Sequence, residues 1–185
     1  MKSSLFSRKF PAVCKDICIA AAICISLSVA AVAQVANLDP LTAADTQFLI
    51  AAARAGATEI SASQDAIHKA PSSQVQNFAN QMLTDHTRIN EELKQLASIK
   101  NITLSDQPDG IQGATIRKLS TLEGKDYEKQ YASDIGVTAH REAVNLFKNA
   151  SNSADPDVKA FALKTLPSLE HHLRMAEELQ NKIAQ

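Results

Sequence analysis

The chain has 185 residues, enough for one domain of ordinary size with a targeting segment, and its formal net charge is −1. Acidic and basic residues are interspersed without a basic stripe, and aromatic residues make up only 4% of the chain, so the composition predicts no nucleic-acid partner. Its three cysteines all precede residue 25, so the remainder of the chain must fold without disulfides.

The first 33 residues have the pattern of a secretory signal peptide. Four basic residues precede an uncharged apolar run at residues 17–33, which ends in the small-residue pattern Ala31, Val32, Ala33. We therefore expect cleavage after Ala33 and a periplasmic or otherwise exported protein with no integral membrane domain. The alternative is an uncleaved membrane anchor, because a run of 17 residues is at the lower edge of the length that spans a bilayer.

The mature chain is predicted to be a short linker, residues 34–41, followed by one helical domain, residues 42–185. Without its first 33 residues the chain retains 15 of 19 basic and 19 of 20 acidic residues, so its formal charge becomes −4. Alanine, leucine and long polar side chains dominate, and glycine and proline are sparse. This composition favours helices throughout.

Two long helices are predicted in the first half of the domain. Thr42 and Asp45 have the spacing of a capping box, which predicts a helix from there to about residue 69. Ser73 and Gln76 have the same spacing at the start of a second helix, which runs to about residue 100.

A long crossover, residues 101–124, is predicted to contain a short helix and to lead to a third helix at residues 125–150. Asp155 as a cap and Pro156 at the first helical position begin a fourth helix, in which Pro167 predicts a kink. A faint repeat with an offset of 83 relates the two halves. The predicted fold is all-α: a ferritin-like antiparallel four-helix bundle with a long crossover between helices two and three.

Each predicted long helix carries one polar residue on its apolar face: Glu59, His86, His140 and His172. Of the two adjacent histidines in the fourth helix, only His172 points inward and His171 points to solvent. All four inward residues lie roughly 18 to 25 Å along their helices, so an antiparallel bundle would place them at one depth. One carboxylate and three imidazoles in an apolar interior predict a site for a single divalent metal ion, Zn, Fe or Mn.

Three further residues are candidates for additional contacts in this site. Asp85 is expected at the rim as a hydrogen-bond partner, and Tyr131 is a further candidate partner of the buried glutamate and histidines. Glu142 adds a third acid, although it points about 160° away from His140 if the helix is straight. The alternative is a metal-free network, in which the buried glutamate and histidines satisfy one another and set the register of the bundle.

The segments FLIAAARAGATEIS, TDHTRINEELKQLA, YASDIGVTAHREAVNLF and LKTLPSLEHHLRMA resemble the bacterial exported proteins of domain-of-unknown-function family forty-one forty-two. The resemblance covers residues 42–180. It implies a ferritin-like four-helix fold and export, with no established biochemical activity. The positions of this sequence that match the family pattern are Glu59, Asp85, His86, Tyr131, His140, Pro167 and His172.

The sequence departs from the di-iron ferritins at the positions that would bridge two metal ions. Those bundles use a Glu-x-x-His pair on each of two helices. Here Leu83 stands three residues before His86, and Leu169 stands three residues before His172. Iron oxidation and storage of the ferritin kind is therefore not expected, and one mononuclear site is the most that the sequence provides.

The leading hypothesis is a non-enzymatic, exported helical module of the cell envelope that holds one transition metal and acts in stress tolerance, with an envelope protein or a second copy as its partner. The second hypothesis is a structural or protein-interaction scaffold whose buried Glu and His network is metal-free. The third is a mononuclear metal-dependent enzyme. The sequence shows no nucleophile motif, glycine-rich active-site loop or phosphate cradle for such an enzyme.

Overall fold

The computed structural model describes residues 41–105, 107–108 and 110–184, and every regular element in those residues is a helix. The predicted all-α class is therefore confirmed. The predicted signal peptide and residues 34–40 of the predicted linker lie outside the described residues. Within the described residues, no helix combines the length and the apolarity that crossing a membrane requires.

The helices follow the predicted order. They are α1 (Ala43–Lys69), α2 (Ser73–Ile99), α3 (Gly110–Ser120), α4 (Gly124–Gln130), a π-helical segment (Tyr131–Ala139), α5 (His140–Ala150) and α6 (Pro156–Ile183). The short crossover helix is α3. α6 continues through Pro167 to its end at Ile183.

Side chains cap three helices at their starts. Thr42 Oγ1 accepts a hydrogen bond from the backbone N–H of Asp45 at 3.1 Å, as the capping box predicted. The Asp155 carboxylate caps α6 by accepting two backbone N–H groups. The predicted cap of α2 was wrong by one residue, because Ser72 has the extended backbone that a cap requires, whereas Ser73 is already helical.

The third long helix is not the single helix over residues 125–150 that the sequence predicted, because a π-helical segment separates α4 from α5. In a straight α-helix, two sets of apolar side chains in this region would point to different sides. The wider π-helical turn, with hydrogen bonds from residue i to i+5, changes the rotation between them. As a result the structure buries both sets: Tyr127, Tyr131 and Ile135 in one, and Val137, Val144 and Phe147 in the other.

The long helices pack around two apolar clusters. α1 packs mainly against α2, and the π-helical segment and α5 pack against α6; further contacts join α1 to α5 and α2 to α6. The upper cluster includes Phe48, Leu93, Phe147, Phe161 and Leu169. The lower cluster includes Phe78, Met82, Tyr127, Tyr131 and Leu179.

A polar layer separates the two clusters. On α1, Ala53 belongs to the upper cluster and Ala62 to the lower cluster, and Glu59 lies between them. His86 and His172 likewise lie between lower-cluster and upper-cluster residues of α2 and α6, and His140 lies between Val137 of the lower cluster and Ala143 of the upper cluster. The fold therefore places these four side chains in one layer between the two apolar clusters.

Candidate metal centre

The three inward histidines form a nearly equilateral triangle. The ring centroids of His86 and His140 are 5.2 Å apart, those of His86 and His172 are 5.3 Å apart, and those of His140 and His172 are 5.4 Å apart. None of these residues is more than 2% exposed. Three separate helical stretches therefore bring one imidazole each to the same buried point.

One nitrogen of each ring makes a hydrogen bond to an oxygen that can only accept. His86 Nδ1 lies 2.8 Å from Glu59 Oε2, and His140 Nδ1 lies 3.1 Å from the carbonyl oxygen of Ile135. His172 Nε2 lies 2.9 Å from Asp85 Oδ2. Because carboxylates and carbonyls accept, these ring nitrogens carry the protons and donate them.

In the neutral form of each ring, the second nitrogen then has a free lone pair. His86 Nε2 and His140 Nε2 lie 3.2 Å apart. Among the described residues, His172 Nδ1 is one of two buried side-chain polar atoms without a hydrogen-bond partner. One ligand nitrogen from each histidine lies within 4.8 Å of the others, so the three residues could hold a metal ion.

Glu59 contacts two of the histidines and supplies negative charge to the layer. Its Oε2 accepts from His86, while its Oε1 lies 3.5 Å from His140 Nδ1 and is the other buried atom without a hydrogen bond among the residues described. Burial alone would raise the pKa of Glu59. The attraction of His86, His140 and His172 and the hydrogen bond from His86 outweigh burial and lower its pKa to about 2.

Burial acts in the opposite direction on the histidines, because it disfavours their charged forms. Burial lowers the pKa of His140, although Glu59 attracts a proton to it. Burial and the nearby His86 lower the pKa of His172 to about 4, although Asp85 opposes this shift. At neutral pH the layer therefore contains ionised Glu59 beside neutral His140 and His172, which retain their lone pairs.

Asp85 connects the layer to solvent. Its side chain is 22% exposed and accepts hydrogen bonds from His172 and, at 2.7 Å, from Gln81. Burial raises its pKa, but these two hydrogen bonds prevail and the pKa is lowered. Asp85 thus occupies the rim position that the sequence predicted, as the partner of a histidine.

Two other candidate residues lie apart from the triangle of histidines. The hydroxyl of Tyr131 hydrogen-bonds to Ser63 Oγ at 2.9 Å and is buried in the lower cluster. Glu142 is exposed, as expected from its angle to His140. His171 is exposed as well, so the adjacent histidines divide as predicted, with only His172 inside.

Sequence reasoning missed two groups that orient the site. The Ile135 carbonyl has no side-chain signature, and only the π-helical geometry brings it to His140. Gln81 does have a signal, since it precedes Asp85 by four residues and therefore lies on the same helix face. A Gln four residues before an acidic rim residue could have been recognised as its partner.

A small cavity lies on the upper-cluster side of Glu59 and His86. Its volume is about 20 Å³, and its wall is otherwise mostly apolar, with Asn90 as a further polar residue. That space is enough for about one water molecule.

Comparisons with known proteins place the chain in a family without a described activity. A comparison with the curated proteins finds no match. The fold is similar to that of a solved structure, the crystal structure of a DUF305 fragment from Deinococcus radiodurans, with a TM-score of 0.68 and 15% identity over 78% of this chain and 99% of that one. The family described as Domain of unknown function (DUF4142) matches residues 30–179, and this chain belongs to that family.

Proposed function

We propose that this protein is a non-enzymatic ferritin-like four-helix bundle that binds one divalent transition metal ion through His86, His140 and His172. α1, α2, the helix formed by α4 to α5, and α6 are the four helices of the bundle. Glu59 and Asp85 are proposed as the residues that orient His86 and His172, rather than as direct ligands.

The observation that carries this proposal is the direction of the hydrogen bonds. Each histidine donates one N–H outward, to Glu59, to a backbone carbonyl or to Asp85, and keeps its lone pair for the centre. Histidine ligands of metal ions are held in this way, because the outer partner sets the tautomer and the ring orientation. The His86 to His140 nitrogen distance of 3.2 Å also matches the edge of about 3.3 Å expected between two nitrogens around tetrahedral zinc.

The charge of the layer supports a divalent ion. Glu59 and Asp85 contribute two negative charges, which the charge of a divalent ion would balance. Imidazole ligands suit zinc and iron better than manganese, which prefers oxygen. Three protein ligands leave a fourth position for water.

This proposal differs from di-iron ferritin chemistry in the number of ions. Leu83 and Leu169 occupy the positions where a ferritin-like di-iron site would have carboxylates. The proposed centre is mononuclear.

Export and a role in stress tolerance belong to the same proposal, with an envelope protein or a second copy as partner. Export is supported by the basic and apolar pattern of residues 1–33 and the small-residue motif that ends it. Cell fractionation and N-terminal sequencing of the mature protein test it: we expect a periplasmic protein that begins at Gln34. A chain retained in the cytoplasm at full length would contradict export.

Metal analysis of the protein purified from its native compartment, without added metal, tests the centre. We expect close to one equivalent of zinc or iron per chain, and a Tm that rises when zinc is added to chelator-treated protein. A His140→Ala variant serves as the matched control and should contain none. Substoichiometric metal in the wild type, together with no Tm shift on addition of zinc, would contradict the proposal.

The scaffold hypothesis keeps one specific observation in its favour. The 2.8 Å contact of Glu59 with His86 satisfies both groups partly without a metal ion. In that case His86→Leu would leave the activity of the folded protein intact, and replacement of the whole buried network by apolar groups would stabilise the fold. Loss of activity in a folded variant would contradict it.

A mononuclear enzyme is the third hypothesis, and it requires substrate access. The cavity beside Glu59 and His86 has room for about one water molecule. A substrate larger than water would therefore not fit in this cavity.

A further inference from the structure

The π-helical segment approaches α6 very closely beside the histidine layer. A Cβ atom built on Gly136 would lie 3.0 Å from Ala176 Cβ and 3.9 Å from Phe78 Cε1. Ala176 Cβ is attached directly to the α6 backbone and has no rotamer through which to move away. Glycine at position 136 therefore permits a separation of the two backbones that alanine would not.

This contact joins the two chain segments that carry two of the proposed ligands. Ala176 follows His172 by four residues and lies on the same face of α6. Ile135, the neighbour of Gly136, gives its carbonyl oxygen to His140 Nδ1. A displacement at the contact of Gly136 with Ala176 would therefore be transmitted to both rings, whose centroids are 5.4 Å apart.

Metal coordination is sensitive to displacements of this size. Ligand distances must be correct to within about 0.2 Å, whereas a new Cβ at position 136 would push α6 away by a few tenths of an ångström.

We propose that Gly136 is a positioning residue of the metal centre, because it sets the separation of the helices that carry His140 and His172. This inference rests on the proposed metal-binding function. It goes beyond that function by assigning ion affinity to a residue that has no side chain and makes no contact with the ion.

A compensating pair of substitutions tests the inference in the full chain. Gly136→Ala adds the obstructing methyl group, and the double variant Gly136→Ala, Ala176→Gly removes the methyl group that it would meet. Gly56→Ala is the matched control, because its new Cβ would meet only the amide end of the Asn90 side chain, which can rotate. Zn²⁺ affinity is measured by chelator competition, and Co²⁺ absorption in the visible range reports the ligand geometry.

We expect Gly136→Ala to weaken Zn²⁺ binding by about 10- to 100-fold, the range seen when the support of a metal ligand is altered. The Co²⁺ spectrum should change in the same variant. The double variant should recover most of the affinity and the spectrum, and Gly56→Ala should match the wild type in both measurements. Melting of the metal-free variants separates a loss of packing from a loss of positioning.

Two outcomes would overturn the inference while leaving the metal site in place: unchanged Zn²⁺ affinity in folded Gly136→Ala, or no recovery in the double variant. If Gly136→Ala does not fold, Ala176→Ser is used instead, because it adds a single atom to the contact from the α6 side. Unchanged Zn²⁺ affinity in Ala176→Ser would likewise overturn the inference. A wild type that binds neither Zn²⁺ nor Co²⁺ would instead overturn the proposed function, and this inference with it.

Discussion

His86 and His140 face each other through their Nε2 atoms at 3.2 Å, although the Nδ1 atom of each ring already donates a hydrogen bond outward. Two neutral rings in these tautomers would direct two lone pairs at each other. The contact is therefore favourable only with a positive charge between the rings, which either a shared proton or a metal ion supplies. Ionised Glu59 beside His86 stabilises that charge.

Replacing His86 by alanine should abolish stoichiometric metal binding. The variant loses one of three ligands and the partner of His140, so we expect the Zn²⁺ affinity to fall by more than about 100-fold. Equilibrium dialysis followed by metal analysis measures the loss. His171→Ala is the control, since His171 is a histidine of the same helix with an exposed side chain. Equal losses in the two variants would show that the effect is not specific to the layer.

Glu59→Gln should weaken Zn²⁺ binding by about 10- to 100-fold without removing a ligand, because His86 would lose its charged acceptor. Asp85→Asn should have a smaller effect, since water can reach this partly exposed side chain and replace part of its interaction with His172. Chelator competition on both variants measures how far each substitution lowers the Zn²⁺ affinity relative to the wild type. A larger loss in Asp85→Asn than in Glu59→Gln would contradict this order.

The metal-free protein should lose stability as the pH falls below about 6.5. The pKa of His172 is about 4 in the folded state and 6.5 in the unfolded state, so the unfolded chain binds a proton at a higher pH than the folded chain does. This difference lowers the free energy of unfolding by at most about 3 kcal/mol as the pH falls. Below pH 4.5 the unfolded chain also protonates Glu59 first, whose folded-state pKa is about 2. Both effects therefore lower the free energy of unfolding on acidification.

Urea unfolding in the presence of chelator, at pH values between 7 and 4, measures this dependence. The same series on His172→Asn should show a shallower decline, because the residue that binds the extra proton in the unfolded state is gone. A flat profile in the wild type would show that His172 titrates normally in the folded protein.

Asp155→Ala should destabilise the fold by about 2 kcal/mol while leaving Zn²⁺ affinity unchanged. Asp155 caps α6 and also lies 2.6 Å from Nζ of Lys100, whose side chain is largely buried. Asp157 pairs with the same lysine but is more exposed, so Asp157→Ala should cost less. Urea unfolding compares the two variants. A change in Zn²⁺ affinity would mean that the start of α6 is coupled to the centre.

Tyr131→Phe should retain full metal affinity, because the tyrosine hydroxyl bonds to Ser63 and not to a histidine. Removal of that hydroxyl should cost about 1 kcal/mol of stability, the value of one buried hydrogen bond. A parallel Ser63→Ala variant should lose a similar amount. Loss of metal from Tyr131→Phe would assign the phenol to the centre after all.

The all-helical class and the boundaries of the long helices followed from local patterns in the sequence. Capping residues at 42 and 155 and the spacing of apolar side chains report interactions within a few residues of one another. The inward orientation of Glu59, His86 and His172 followed from the same periodicity, because each lies on a regular α-helix. Local information was therefore sufficient where the helix was regular.

Local information in the sequence was not sufficient for the third helix. In a straight third helix the two apolar sets would point to different sides, and both are buried where a π-helical segment packs against α6. The Ile135 carbonyl that meets His140 and the approach of Gly136 to Ala176 both lie in that segment. Neither appears in any pattern of residue types.

By itself, the sequence determined which residues form helices and which polar side chains lie on their apolar faces, because these depend on neighbours within one or two turns. Only the tertiary structure decided that the three imidazoles meet, which nitrogen of each faces inward, and that Glu59 and Asp85 hold the rings from outside. The physical reason is that these relationships join atoms on different helices. Their distances are set by the packing of the whole interior.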